Sequence, residues 1–276
     1  MKQLGATIDR STPIQYGTQY RLSRGEELAI VNVYQGKAGT KFVIQKNTPL
    51  AEALRELAGQ KKAEASPWIS WCGSDESGKG DYFGPIAVAA VALTSKEAVE
   101  LASYRVRDCK TMSDATALGM DERIRKTCVF KLAGWLPDVY NAKQAELRNV
   151  NLMLGELHAE AIDGVLEQRG DLQAAVVDQF GDAAYVREAL HRRDRTITLV
   201  QRPKADETDL AVAAASVLAR AAFLRGLAKL GKQFKVRLPK GAGPDVIEAA
   251  RAFVRKHGRE ALGRVAKVHF RTTASL

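Results

Sequence analysis

The sequence predicts an α/β protein in which a small leading domain precedes a larger body. Three observations lead to this prediction. Short apolar runs alternate with stretches of helical periodicity through most of the chain, as in a sheet covered by helices. A polar stretch, QKKAEASP, separates the N-terminal elements from the rest. The chain has 276 residues, 46% of them hydrophobic, so it can bury a sizeable core.

The leading domain is predicted to contain three strands and one helix. The β-forming stretches are PIQYGTQYRL, EELAIVNVYQ and KFVIQK, and GKAGT makes a turn between the last two. Thr48 suits the N-cap of the helix that follows, and Pro49 suits its first position. We therefore place a small α+β domain at residues 1–62, in which Lys and Arg outnumber Asp and Glu.

The larger body, residues 66–276, alternates strands and helices. WISWCGSDE and PIAVAAVALT are predicted to be neighbouring strands, followed by a helix at SKEAVELASY. Further along the chain, CVFKLAGW, LQAAVVDQF and RTITLV are predicted strands. Long helices are predicted at NVNLMLGELHAEAIDGVLEQR, TDLAVAAASVLARAAFLRGLAKL and PDVIEAARAFVRKHG.

The charge of the chain points to a polyanionic partner. The formal net charge is +10, which favours nucleic acid, although a basic protein can also use its charge for solubility alone. The tail from Lys232 to Arg271 holds eleven Lys and Arg against three Asp and Glu. Stabilising a helix would not need so many cations, so the tail is predicted to contact phosphates.

The cysteines and the apolar runs bear on where the protein resides. Cys72, Cys109 and Cys128 are odd in number and lack metal or redox spacing, so they are predicted to be buried thiols in a reducing compartment. The N-terminus has no apolar segment typical of a signal peptide. The longest apolar runs, IAVAAVAL and AVAAASVLA, are too short to span a bilayer. We expect a cytoplasmic monomer without membrane contact.

The stretch GSDESGKGDYFG nearly matches a phosphate-binding P-loop but is not predicted to be one. A P-loop requires a helix directly after its Lys, because the helix N-terminus faces the phosphates. Here Gly84 and Pro85 follow, and a β-like apolar run comes after them. Asp75 and Glu76 inside the loop would also repel phosphate.

The acids at strand ends are predicted to bind a metal. Asp75 and Glu76 end one strand, Asp178 ends a second, and Asp206 follows a third. Hard divalent cations such as Mg²⁺ prefer carboxylate oxygens, and carboxylates at the ends of buried strands are costly without a partner. Each acid alone has a simpler explanation as a turn or helix cap. Asp206 in particular could cap a helix that begins near Thr208.

The motifs together resemble those of the type 2/type 3 ribonucleases H, and most of all ribonuclease HIII. The resemblance runs from about Trp68 to Thr273, and its motifs are GSDESGKGDYFGP, RDCKTMSDA, VVDQF, PKADE and AVAAASVLAR, with GAGPDV and AKVHFRTT near the end. It implies a ribonuclease H-like mixed sheet flanked by helices. The leading domain resembles, in layout more than in letters, the TATA-binding-protein-like substrate-binding domain of ribonuclease HIII.

The resemblance also implies an activity and its residues. The activity is hydrolysis of the RNA strand of RNA/DNA hybrids with two divalent ions, Mg²⁺ or Mn²⁺, leaving 5′-phosphate and 3′-hydroxyl ends. The implied catalytic metal ligands are Asp75, Glu76, Asp178 and Asp206, and the implied substrate contacts are Gly78, Lys79, Gly80 and Lys110. Two residues depart from the pattern: Cys109 stands where the family commonly has Ser, and Asp206 where the type 3 branch often has Glu.

Other functions stay open at this point. A ribonuclease HII-like enzyme would cut at single ribonucleotides in DNA, and a resolvase or integrase would use similar carboxylates on duplex DNA. A non-catalytic hybrid-binding module would keep the basic surfaces but lose the acids, all four of which are present. His158 is interpreted as a structural residue of its helix, whereas His269 is a candidate for substrate contact.

Overall fold

A computed structural model of the protein describes residues 4–36, 39–46, 48–57, 66–103, 106 and 112–276. The chain divides into two compact units, Met1–Glu64 and Ala65–Leu276.

The first unit is a four-stranded antiparallel sheet with one helix. Its strands, in spatial and chain order, are β1 (Thr7–Ile14), β2 (Gly17–Arg24), β3 (Glu27–Gly36) and β4 (Gly39–Gln45). Helix α1 (Pro49–Leu57) packs on β3 and β4 and buries Leu50, Ala51 and Leu54 against the sheet. Thr48 Oγ1 accepts a hydrogen bond from Ala51 N at 3.2 Å, which confirms the predicted N-cap.

The stretch PIQYGTQYRL differs from the prediction. It was expected to form one strand, but it contains the end of β1, a two-residue turn and the start of β2, with Ile14 paired to Gly17. Tyr16 closes the turn with a φ of 67°. A non-glycine residue rarely adopts this conformation. Tyr16 therefore gave no sign of a turn in the sequence, and the prediction missed both the turn and strand β1.

The second unit is built on a five-stranded mixed sheet in the order β7-β6-β5-β8-β9. Strands β5 (Ser70–Ser77), β6 (Ile86–Thr94) and β7 (Val129–Trp135) form an antiparallel meander. Strands β8 (Ala174–Asp178) and β9 (Thr198–Arg202) run parallel to β5. The strands therefore lie where the apolar runs predicted them.

Helices cover both faces of this sheet. One face packs against α2 (Ser95–Ser103), α3 (Asp114–Thr127) and α8 (Leu210–Phe234), and the other against α4 (Pro137–Leu147), α5 (Val150–Leu166) and α6 (Ala184–His191). Helices α3, α4 and α6 were not predicted. A third core lies under α9 (Pro244–His257), and the short elements α7 (Ala205–Thr208), Glu260–Arg264 and α10 (Arg271–Ala274) complete the unit.

Helix α8 is the central helix of the second unit. It contacts both β5 and β6, and it approaches β5 so closely that a Cβ on Gly73 would lie 2.1 Å from Val212 N. By length and composition alone, α8 is long and apolar enough to cross a membrane. The prediction from short apolar runs did not anticipate this, because α8 is longer than the apolar run it contains. Its apolar residues are instead used in the core, since 67% of its most apolar window is buried.

Candidate active site

Strand β5 delivers two acids to opposite faces of the sheet near its C-terminal end. Asp75 lies opposite Ala89 of β6 and hydrogen-bonds to Ser216 of α8. Glu76, the next residue, is on the face covered by α5 and contacts His158 there. This alternation is the one expected of a strand. Asp75 is only 6% exposed, so its charge is not screened by bulk water.

Strand β8 brings a third acid beside them. It pairs in parallel with β5, with Ser74 opposite Val177, so Asp178 emerges at the same edge of the sheet. Asp178 Oδ1 accepts a hydrogen bond from Ala205 N at 2.7 Å, which fixes the carboxylate to the turn where α7 begins. Asp206, the residue after Ala205, is 4% exposed in the first turn of α7.

The alternative for Asp206 as the cap of the following helix is wrong. The N-cap of α8 is Asp209, whose Oδ1 accepts hydrogen bonds from Ala211 N at 2.9 Å and Val212 N at 3.1 Å. Trp71 Nε1 also donates to Asp209, at 3.2 Å. The capping role therefore belongs to Asp209, and Asp206 is not needed for it.

The carboxyl of Asp75 is electrostatically strained. Burial raises its pKa from 3.8 to about 8, and the negative charges of Glu76 and Asp178 act in the same direction, against the hydrogen bond from Ser216. A buried acid repelled by two others is the arrangement that a cation relieves. All the predicted metal-ligand atoms are carboxylate oxygens, the ligands that Mg²⁺ and Mn²⁺ prefer.

The predicted ligands lie near one another, but as they stand they do not form a complete ion-binding group. The charges of Glu76 and Asp178 both act on the carboxyl of Asp75. Asp206 directly follows Ala205, whose backbone N–H donates to Asp178. Over the ranges that the structure describes, no group of three or more His, Cys, Asp and Glu side chains could hold an ion as it stands. The donor chemistry and the charge of these side chains suit divalent ions.

The pKa of Glu76 is shifted in the opposite direction from that of Asp75. Burial alone would raise its pKa, but the hydrogen bond and charge of His158, together with the charge of Lys79, hold it below its ordinary value. His158 is completely buried on α5, and its Nε2 lies 3.2 Å from Glu76 Oε2. The sequence interpretation of His158 as a structural residue of its helix did not include this contact. The available signal was a polar ring on an otherwise apolar helix face.

The glycine motif forms a turn between β5 and β6, as the exclusion of a P-loop requires. No helix follows Lys79, and β6 begins at Ile86. Gly78 has a φ of +93°, a conformation that favours glycine, and a Cβ on Gly80 would meet nothing within 4 Å. Lys79 Nζ lies 3.8 Å from Glu76 Oε1. Lys110, the remaining predicted substrate contact, lies outside the described residues, as does Cys109.

A buried lysine, Lys267, binds the backbone at the end of this turn. Lys267 Nζ donates hydrogen bonds to the backbone oxygens of Asp81 at 2.9 Å and Gly84 at 2.8 Å. Burial lowers its pKa to about 7, and the charge of Asp81 opposes that shift. Lys267 therefore ties the C-terminal segment to the end of the glycine turn. Nearby in sequence, His269, the candidate for substrate contact, stacks on Tyr140.

The raised pKa of Asp75 predicts how stability depends on pH in metal-free protein. Between about pH 4 and about pH 8 the folded state holds a proton on Asp75 that the unfolded state has released. By linkage, this group lowers the free energy of unfolding as pH rises through that window. Asp75→Asn removes the effect, so its stability advantage over the wild type should grow up to about pH 8.

Urea unfolding of both proteins in EDTA, at several pH values between 5 and 9, measures this difference. Other titrating groups largely cancel between the two proteins. A stability difference that stays flat between pH 5 and 8 would show that Asp75 is not buried and repelled as described.

Comparison with known proteins gives consistent matches. The family model described as Ribonuclease HII matches residues 72–273. A curated protein named Ribonuclease HIII from Protochlamydia amoebophila is 37% identical over 241 residues, covering 87% of this chain and 78% of that protein. Another of the same name from Chlamydia pneumoniae is 38% identical over 202 residues, covering 72% and 67%.

Solved structures match as well. The crystal structure of Bst-RNase HIII in complex with Mn²⁺ aligns with a TM-score of 0.71 and 29% identity, covering 98% of this chain and 91% of that one. The ribonuclease H2 of Pyrococcus horikoshii aligns with a TM-score of 0.63 over 75% of this chain and 96% of its own, and at 20% identity it speaks for the fold alone. The predicted fold class, a mixed sheet flanked by helices, is confirmed.

Proposed function

Because the chain belongs to the ribonuclease HII family, we propose that it hydrolyses the RNA strand of RNA/DNA hybrids at the carboxylates that end β5 and β8. Members of this family are endoribonucleases, and the chain is accordingly a ribonuclease H, a hydrolase of phosphodiester bonds. The observation that carries the location of the site is the coupling of Asp75 to Glu76 and Asp178. Perturbed carboxyls gathered at one sheet edge mark functional sites.

The family depends on divalent metal ions, as the Mn²⁺ complex of a related enzyme illustrates. We assign two ions, Mg²⁺ or Mn²⁺, to Asp75, Glu76, Asp178 and Asp206. The chemistry that such ions supply when bound is activation of a water for in-line attack and stabilisation of the departing 3′-oxygen. The products are a 5′-phosphate and a 3′-hydroxyl. The contribution of the chain is to hold the carboxylates at the edge of a rigid sheet, which strands β5 and β8 do by direct pairing.

Recognition of RNA is assigned to the turn after β5. The ribose 2′-hydroxyl is the group by which a protein distinguishes RNA from DNA. The open space around the Cα of Gly80 leaves the backbone accessible to a ribose. Lys79, beside the acids, can contact a phosphate, and Lys110 is proposed for a second phosphate contact.

The basic residues support the same substrate. The net charge of +10 and the cationic stretch from Lys232 to Arg271 suit a polyanion. We further propose that the protein acts as a cytoplasmic monomer. Cys72 and Cys128 are buried free thiols, which agrees with a reducing compartment.

Cutting at single ribonucleotides in DNA is the second candidate activity. The match to a Ribonuclease HII model favours it, whereas the ribonuclease HIII relatives and the four-stranded first unit favour hybrids. A cleavage assay with Mg²⁺ would compare an RNA/DNA hybrid, a DNA duplex that carries one ribonucleotide and an all-DNA duplex, and map the ends produced. Preferred cutting of the hybrid, abolished by EDTA, is the expected result. Equal cutting of all-DNA duplex would contradict the proposed function.

Deletion of residues 1–62 is expected to weaken hybrid binding much more than it slows the chemical step. The first unit has its own sheet and core, and its proposed role is substrate binding. We expect Kd for a hybrid to rise by about tenfold or more, equivalent to a loss of about 1.4 kcal/mol. Fluorescence anisotropy measures Kd, and single-turnover cleavage at saturating enzyme measures the chemical step. An unchanged Kd would leave the first unit without the proposed role.

A further inference from the structure

A buried chain of hydrogen bonds runs from Ser74 through His158 to Glu76. His158 Nδ1 lies 2.7 Å from Ser74 Oγ, and His158 Nε2 lies 3.2 Å from Glu76 Oε2. Ser74 and His158 are completely buried, and the Glu76 side chain is 13% exposed. The three residues come from β5 and α5, so the chain crosses the interface between the sheet and the helix.

The order Ser, His and acid invites comparison with a hydrolase triad, but Ser74 cannot be a nucleophile. The backbone oxygen of Ala89 lies 2.9 Å from the same Oγ, inside the β5–β6 pair. A nucleophile must reach substrate, and no substrate atom can approach a hydroxyl that is enclosed between strand and helix. The chain of hydrogen bonds therefore supports a group at its exposed end, which is Glu76.

The imidazole is held so that its Nε2–H points at Glu76. A carboxylate only accepts hydrogen bonds, so Nε2 must carry the proton in this contact. Ser74 holds the other nitrogen, and the ring of Phe180 stacks on the imidazole with a centroid distance of 4.8 Å and an angle of 9°. Phe180 lies two residues beyond the end of β8, so the segment that follows Asp178 also helps to orient His158.

The two carboxylate oxygens of Glu76 have different partners. Oε2 is bound by His158, whereas Oε1 is 3.8 Å from Lys79 Nζ on the side of the glycine turn. Without the imidazole, Glu76 Oε2 would lose this hydrogen-bond donor. Partners that orient ligating carboxylates commonly set metal affinity.

We propose that His158 is a positioning residue that fixes the Glu76 carboxylate for binding of a divalent ion. The proposal rests on the proposed function, since it takes Glu76 as a metal ligand. It assigns to His158 a role beyond packing, with the hydrogen bond from Nε2 as the essential contact. Ser74 and Phe180 act through His158 by holding its ring.

The test is Mn²⁺ binding to the substrate-free full-length protein, followed by electron paramagnetic resonance. His158→Gln places an amide N–H near the position of Nε2, whereas His158→Asn can reach only Ser74. Mn²⁺ affinity should fall by about 10- to 100-fold in His158→Asn and His158→Ala. His158→Gln should retain most of the affinity. Leu154→Ala, a buried change on the same helix, should lower the melting temperature and leave Mn²⁺ affinity unchanged.

Cleavage kinetics provide a second readout. In His158→Asn the Mn²⁺ concentration for half-maximal activity should rise in parallel with the loss of affinity, while KM for the hybrid at saturating Mn²⁺ stays unchanged. Equal Mn²⁺ affinity in the Gln and Asn variants, or in the Asn variant and the wild type, would overturn the proposal. If His158→Ala does not fold, the comparison of Gln with Asn decides alone. Failure of the wild type itself to bind Mn²⁺ would instead overturn the proposed function.

Discussion

Asp75→Asn and Asp178→Asn should each abolish cleavage of an RNA/DNA hybrid, with a fall in kcat of about 1,000-fold or more. Stabilisation of transition-state charge by a metal is worth several kcal/mol, and each 1.4 kcal/mol is a factor of ten in rate. Asparagine keeps the shape of the side chain and removes the charge that a divalent ion requires. Each acid directly follows the last residue pair between β5 and β8, Ser74 with Val177.

The loss of activity should not reflect unfolding or loss of substrate. Asp75 is repelled by Glu76 and Asp178, so Asp75→Asn is expected to be at least as stable as the wild type without metal. Hybrid binding should survive in both variants, because the proposed backbone contacts lie in the glycine turn and the basic regions. Melting temperature and fluorescence anisotropy measure these two properties.

Asp194→Asn is the matched control for this experiment. Asp194 is exposed, lies between α6 and β9 and has a φ of 54°, which asparagine tolerates. We expect full activity from it. Full activity in Asp75→Asn or Asp178→Asn would refute the assignment of the active site.

Gly73→Ala should destabilise the second unit by about 4 kcal/mol or more, a loss that is exceptional for a single substitution. The added Cβ would lie 2.1 Å from Val212 N and 2.3 Å from Ala211 C. Both are backbone atoms in the first turn of α8, so no rotamer change can relieve the overlap. Either α8 or β5 must shift, and β5 carries Asp75 two residues later, so activity should fall as well.

Gly119→Ala is the control for this prediction. Gly119 is in the exposed part of α3, and a Cβ there would meet nothing within 4 Å. Alanine should stabilise the helix by about 0.5–1 kcal/mol. Urea unfolding of both variants measures the free energies. A Gly73→Ala protein with wild-type stability would show that α8 does not approach β5 as closely as described.

The candidate site was predictable to the extent that it depends on strand ends. Asp75, Glu76 and Asp178 follow apolar runs, and such runs form strands whose ends gather at one edge of a sheet. The exclusion of a P-loop also held, because Gly84 and Pro85 cannot continue a helix. The hairpin around Tyr16 was missed because its turn uses a residue without turn propensity. The alternative that Asp206 caps a helix near Thr208 was wrong, because Asp209, three residues later, also suits the role and caps α8.

The sequence by itself determined the α/β fold class, the position of the strands of the second unit and the acids at their ends, because these follow from local hydrophobic patterns and from motifs read in order. Only the tertiary structure decided which groups act on those acids. His158 reaches Glu76 across 82 positions and Lys267 reaches Asp81 across 186. Such contacts depend on how a helix or a loop packs against the sheet, and no local pattern in the chain encodes that packing.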